Sequence, residues 1–96
     1  MKQLQVLFSN EVALEDDRKM RLDYFLTEGY LKSDVNEPYY GIRITKNLDN
    51  LEEFEEVSGI SCSKEIVLSM IKKFSMNVVT PIHLVEIVDD LVTQGS

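Results

Sequence analysis

The chain opens by alternating polar and apolar residues. Gln3-Leu4-Gln5-Val6-Leu7-Phe8 puts Leu4, Val6 and Phe8 on one face, the two-residue period of a half-buried strand. Apolar character resumes at Val12-Ala13-Leu14, so the pattern predicts a strand that continues past a bulge or kink at Ser9-Asn10. The charged run Glu15-Asp16-Asp17-Arg18-Lys19 reads as a solvated hairpin tip. A second strand is predicted over 20–27, with Met20, Leu22, Tyr24 and Leu26 on one face and Arg21, Asp23, Phe25 and Thr27 on the other. Residues 28–38 contain Gly29, Asn36 and Pro38 and read as a loop. A third strand is predicted over 39–46, with Tyr40, Ile42 and Ile44 inward and Arg43 and Thr45 outward. Gly41 inside it marks a bulge or a close backbone approach.

The period then changes. Asp49 to Val57 suits either a short helix or a strand, and an acidic edge strand over roughly 52–58 is the preferred reading. Charges on such an edge block pairing with another chain. After Gly59 the apolar positions fall at helical spacing. Val67, Met70, Ile71 and Phe74 make one stripe, widened by Ile66, with Ser61 or Ser63 as N-cap and Asn77 as a left-handed C-cap. A second helix starts at Thr80-Pro81, where threonine caps and proline occupies the first turn. Its apolar face is Leu84, Ile87, Val88 and Leu91. Each helix spans only about 13 residues, too few for stability alone in water, so both must pack on the sheet and on each other.

Residues 1–96 therefore read as a single α+β domain. An antiparallel sheet of three or four strands is followed by two helices packed on one face. Leu84, Val88, Leu91, Val67, Ile71 and Phe74 are the predicted buried helix positions.

Composition narrows the function. The formal charge is −7, and the second half of the chain holds most of the imbalance. An acidic surface repels phosphate, which argues against nucleic-acid binding, and the small basic group Arg18, Lys19 and Arg21 sits among acids. Cys62 is the only cysteine, so no disulfide can form within the chain. No basic stretch followed by an apolar run opens the sequence, and no apolar run approaches the ~20 residues that cross a bilayer. A cytoplasmic location away from the membrane is the expectation.

Certain strings resemble a family of small bacterial (Gram-positive) proteins of unknown function. They are Tyr40-Gly41-Ile42, then Ile60-Ser61 before the first helix. The most specific is Asn77-Val78-Val79-Thr80-Pro81-Ile82-His83-Leu84 followed by Glu86-Ile87-Val88-Asp89-Asp90. The resemblance covers roughly the last 60 residues, as judged from these motifs. It implies a small α+β domain and brings neither an activity nor site residues.

The side chains that carry chemistry are few. His83 has Glu86 and Asp90 on roughly its own helix face, but one histidine without a second His or Cys is a poor metal signal. Cys62 near a helix start could be an activated thiol with His83 as base, yet nothing in the sequence brings the two together. Glu52, Glu53, Glu55 and Glu56 lack the arrangement of a calcium loop. No glycine loop for phosphate is present, and no cofactor or metal is expected.

The leading expectation is thus a non-enzymatic interaction or regulatory module. A small enzyme using Cys62 or His83 is the alternative. By alternation, Leu7, Phe25 and Tyr39 point away from the helices, one on each of three strands, and form a candidate partner surface. A homodimer through it is preferred over cover by Tyr30, Leu31 and Val35 of the 28–38 loop.

Overall fold

Four strands pair in the order in which they occur along the chain. The computed structural model describes residues 3–31 and 34–94, and the side chains of 3–30 and 38–90. The strands are β1 (Gln3–Ala13), β2 (Lys19–Leu31), β3 (Asp34–Leu48) and β4 (Leu51–Ser61). They form one sheet, β1-β2-β3-β4, each strand antiparallel to the next. Two helices follow, α1 (Lys64–Met76) and α2 (Pro81–Gln94). Both pack on the sheet: α1 lies against β1 to β4, α2 against β3 and β4. This is the expected α+β arrangement with four strands, and the acidic segment 52–58 lies inside β4.

The core is the face predicted for β2 and β3 closed by the two helical stripes. Leu22, Tyr24, Ile42, Ile44, Val67, Ile71 and Leu84 have no measurable solvent exposure, and Leu26, Phe74 and Val88 are also buried. Five of the six predicted helix positions are therefore in the core, and the side chain of Leu91 lies outside the described residues.

Three local expectations are corrected. The described part of the segment 28–38 is not a free loop. Pairing of Gly29 with Tyr39 and of Tyr30 with Pro38 extends the β2–β3 hairpin, so ladder bonds override the breakers. Tyr30 belongs to that ladder, and the side chains of Leu31 and Val35 lie outside the described residues.

The irregularity in β1 is at Val6-Leu7-Phe8, not at Ser9-Asn10. Val6 pairs with Phe25 and Phe8 with Tyr24, so Leu7 is the extra residue of a bulge. One inserted residue reverses the alternation on one side of it. Leu4 and Val6 consequently share the side of Phe25 and Thr27, while Phe8 lies on the helix side. Leu4, Val6 and Phe8 therefore do not form one inward face. Leu7 instead packs against the core.

At the end of α1, Asn77 stays right-handed (φ −97°) and Val78 takes the left-handed turn (φ 52°). Asn77 already satisfies Lys73 O with its backbone N–H (3.0 Å) and its side chain Nδ2 (2.8 Å). The reversal then falls to the next residue. Val78 N donates to Ser75 O (3.3 Å) and Val79 N to Phe74 O (3.0 Å), the paired bonds of a Schellman ending.

The start of α1 follows expectation, with Ser63 as its N-cap. Ser63 Oγ accepts from Ile66 N at 3.5 Å, and Ser61 Oγ accepts from Ser63 N at 3.0 Å. Thr80 directly precedes Pro81, and its carbonyl accepts from His83 N at 3.1 Å. The β3–β4 turn is Asp49-Asn50, both left-handed (φ 53° and 65°), which is the two-residue turn that suits strand twist. Arg18 reaches from the β1–β2 tip to Asp49 while also holding Asp16, so the two hairpin tips are tied. Desolvation raises the Asp16 carboxyl, and the hydrogen bonds and charge of Arg18 together more than offset it, leaving Asp16 below its ordinary value.

Candidate functional site

The helices cover one face of the sheet. The other face carries the residues that strand pairing puts opposite the core, row by row. One row is Val6, Phe25, Arg43 and Glu56. Its neighbours are Leu4-Thr27-Gly41 on one side and Ser9-Asp23-Thr45-Phe54 on the other.

This face has an apolar centre. Leu4 (46%), Val6 (53%) and Phe54 (55%) are exposed, and Phe25 is half-buried between Val6 and Arg43. The Arg43 guanidinium lies over the Phe54 ring, 3.9 Å from its centroid, and also pairs with Glu56 at 3.5 Å. A guanidinium stacked on an aromatic face keeps its edges for hydrogen bonding. Thr27 and Thr45 are buried between these larger groups.

Gly41 lets the strands close up here. A Cβ at this position would stand 2.2 Å from Val57 O and 2.9 Å from Ser58 Cα. The cause is a bulge in β4: Ile42 pairs with Val57 and Tyr40 with Ser61, leaving 58–60 looped beside Gly41.

Charge is nearly balanced on this face. Among the described side chains Lys19, Arg21 and Arg43 meet Glu11, Asp23, Glu52 and Glu56, a net of −1 where the whole chain carries −7. Arg21 pairs with Asp23 at 3.0 Å.

Of the three residues predicted to share a patch, Phe25 is at the centre of this face. Tyr39 is on the same side, paired with Gly29, two rows from Phe25, with Thr27 and Gly41 between. Leu7 is turned into the core by the β1 bulge, and Leu4 and Val6 stand on the face in its place. Phe54 and Arg43 were not singled out by the sequence. The signal for Phe54 was present, since it alternates with Glu52 and Glu56 along β4. Leu4 and Val6 depend on where the bulge falls, which no local pattern specifies.

The residues of the catalytic alternative sit elsewhere. Cys62 is an exposed free thiol just before the Ser63 cap. His83 is exposed in the first turn of α2. Among the described residues no group of three or more His, Cys, Asp or Glu is placed to hold a metal ion. Clefts of about 150, 190 and 240 Å³ lie at the hairpin tips, near Lys64 and beside Asn10. Each is smaller than the ~300 Å³ at which small-molecule pockets usually begin. Among the described residues no helix is long and apolar enough to cross a membrane.

The chain matches the family described as a family of unknown function (DUF6514) over residues 3–94, and it belongs to that family. Neither a curated protein nor a solved structure matches it.

Proposed function

We propose that this protein is a non-enzymatic protein-interaction module that docks a partner protein on the helix-free face of its sheet, in a cytoplasmic setting. The observation that carries the reading is the contrast on that face. It gathers Leu4, Val6, Phe25 and Phe54 and nearly cancels its charge, in a chain of net −7. Aromatic and arginine side chains at a low-charge centre are the composition of an interface core, with the flanking Arg21, Asp23, Glu11 and Glu52 as its polar rim. The exposed thiol of Cys62 suits a reducing compartment.

The test is affinity capture from the source cell with the wild type, Phe25→Glu and Ile82→Glu. Ile82 is 82% exposed on α2 and serves as the control on the helix side. A partner held by the wild type and by Ile82→Glu, and lost from Phe25→Glu, is the expected result. A partner that Phe25→Glu retains at full occupancy overturns the choice of face.

A further inference from the structure

The sheet has two edges, and they are built differently. β4 carries Glu52, Glu53, Glu55 and Glu56 and is broken by the 58–60 bulge. Those are standard protections against pairing with another strand. β1 has one charged residue, Glu11, and its first four residues, Gln3-Leu4-Gln5-Val6, carry none and are all exposed. Among the described residues β1 pairs only with β2, so the backbone groups on its outer side meet no strand. The Leu7 bulge divides β1. Beyond it, Asn10 is bonded to α1 through Ser75 O (2.7 Å), and before it lies the uncharged half.

We infer that two copies of this chain pair through Gln3-Leu4-Gln5-Val6, antiparallel about a two-fold axis between the two Gln5 residues, to make one eight-stranded sheet. The occupant is a second copy because of charge. Chains of −7 repel wherever their acidic surfaces meet, and this segment is an uncharged edge that complements itself. In this register Leu4 of one copy lies opposite Val6 of the other. Such cross-strand apolar pairs stabilise a sheet. Gln5 lies opposite Gln5, on the helix side. The apolar rows then run across the junction. Phe25 and Val6 of one copy continue into Leu4 of the other, and the same holds in reverse, so the two helix-free faces become one surface. The pairing does not require that face to bind anything.

Sedimentation velocity and cysteine cross-linking test this on the full chain. The wild type is expected to dimerise at tens of micromolar, where a short strand pairing with few apolar contacts belongs. Gln5→Lys places two cations across the axis and should weaken the dimer at least about tenfold, as charges do on edge strands. Gln5 is exposed, so the fold should survive the change. In a Cys62→Ser background, Gln5→Cys should oxidise to a covalent dimer much faster than Glu11→Cys. Phe25→Glu should leave the dimer intact, because Phe25 lies one strand in from the junction. A monomeric wild type at tens of micromolar overturns the inference, as do equal oxidation rates at positions 5 and 11. A dimer lost in Phe25→Glu but kept in Gln5→Lys also overturns it, because the copies then meet face to face. Loss of partner capture in Phe25→Glu with its dimer intact separates the face reading from this one.

Discussion

Tyr24 is the residue at which sheet and helices are fastened. Its ring is fully buried, and its hydroxyl donates to Val79 O (2.9 Å) in the connection between the helices. Burial pushes its phenol up to about 12, a shift that a hydrogen bond with Asn10 partly opposes. The neutral phenol is thus the form that the fold prefers. That preference is intact below the ordinary tyrosine value of about 10 and is lost as pH rises towards 12. Stability should therefore fall by about 2 kcal/mol more in the wild type than in Tyr24→Phe between pH 10 and 12, a difference readable by urea denaturation at each pH. Equal slopes would show that this hydroxyl is not held neutral.

Val78 presents the opposite situation, a side chain that works against its backbone. A left-handed conformation costs a non-glycine residue about 1–2 kcal/mol, and Val78 is largely exposed, so its side chain returns little. Val78→Gly should raise stability by about 1 kcal/mol, since glycine is the usual residue at this place in a Schellman ending. An unchanged or lower denaturation midpoint would refute the strain.

At the scale of elements, the fold depends on two bulges, and they differ in how readable they were. Gly41 announced its bulge. A glycine amid Tyr40, Ile42 and Ile44 has to accommodate something close, and here that is the β4 backbone at Val57 and Ser58. Gly41→Ala would drive a methyl group into that backbone. It should cost about 1–3 kcal/mol or more, the range for overpacking where neither side can yield, and thermal unfolding would measure it. A neutral effect would mean that the β4 bulge shifts freely. The β1 bulge had no such marker. Leu4, Val6, Leu7 and Phe8 are all apolar, so the strand satisfies the pattern with either of two registers, and packing of Leu7 on the core selects one. The helices were legible because their stripes repeat over three turns and because Ser63 and Pro81 mark where they start. The hairpin extension to Leu31 was not, because cross-strand pairing and not local preference makes it.

For the whole molecule, the sequence indicated that a sheet face would remain uncovered and placed Phe25 on it. It did not indicate which apolar residues of β1 would join it, or that the charges there would balance, because both follow from strand register. The helices that cover the opposite face never meet along their backbones. Among the described residues no Cα of α1 comes within 8 Å of one of α2. By backbone proximity α2 lies against β3 and the edge strand β4 alone, although its Leu84 and Val88 share one core with α1 and β2. Release of α2 would uncover that core at Leu84 and Val88 and still leave the strand ladders of β1 to β3 paired, a partial opening short of global unfolding. Followed by native-state hydrogen exchange in mild denaturant, the amides of α2 should lose protection together, at a lower opening free energy than those of β2 and β3. Matching values for both helices and the central strands would instead mark the molecule as one indivisible cooperative unit.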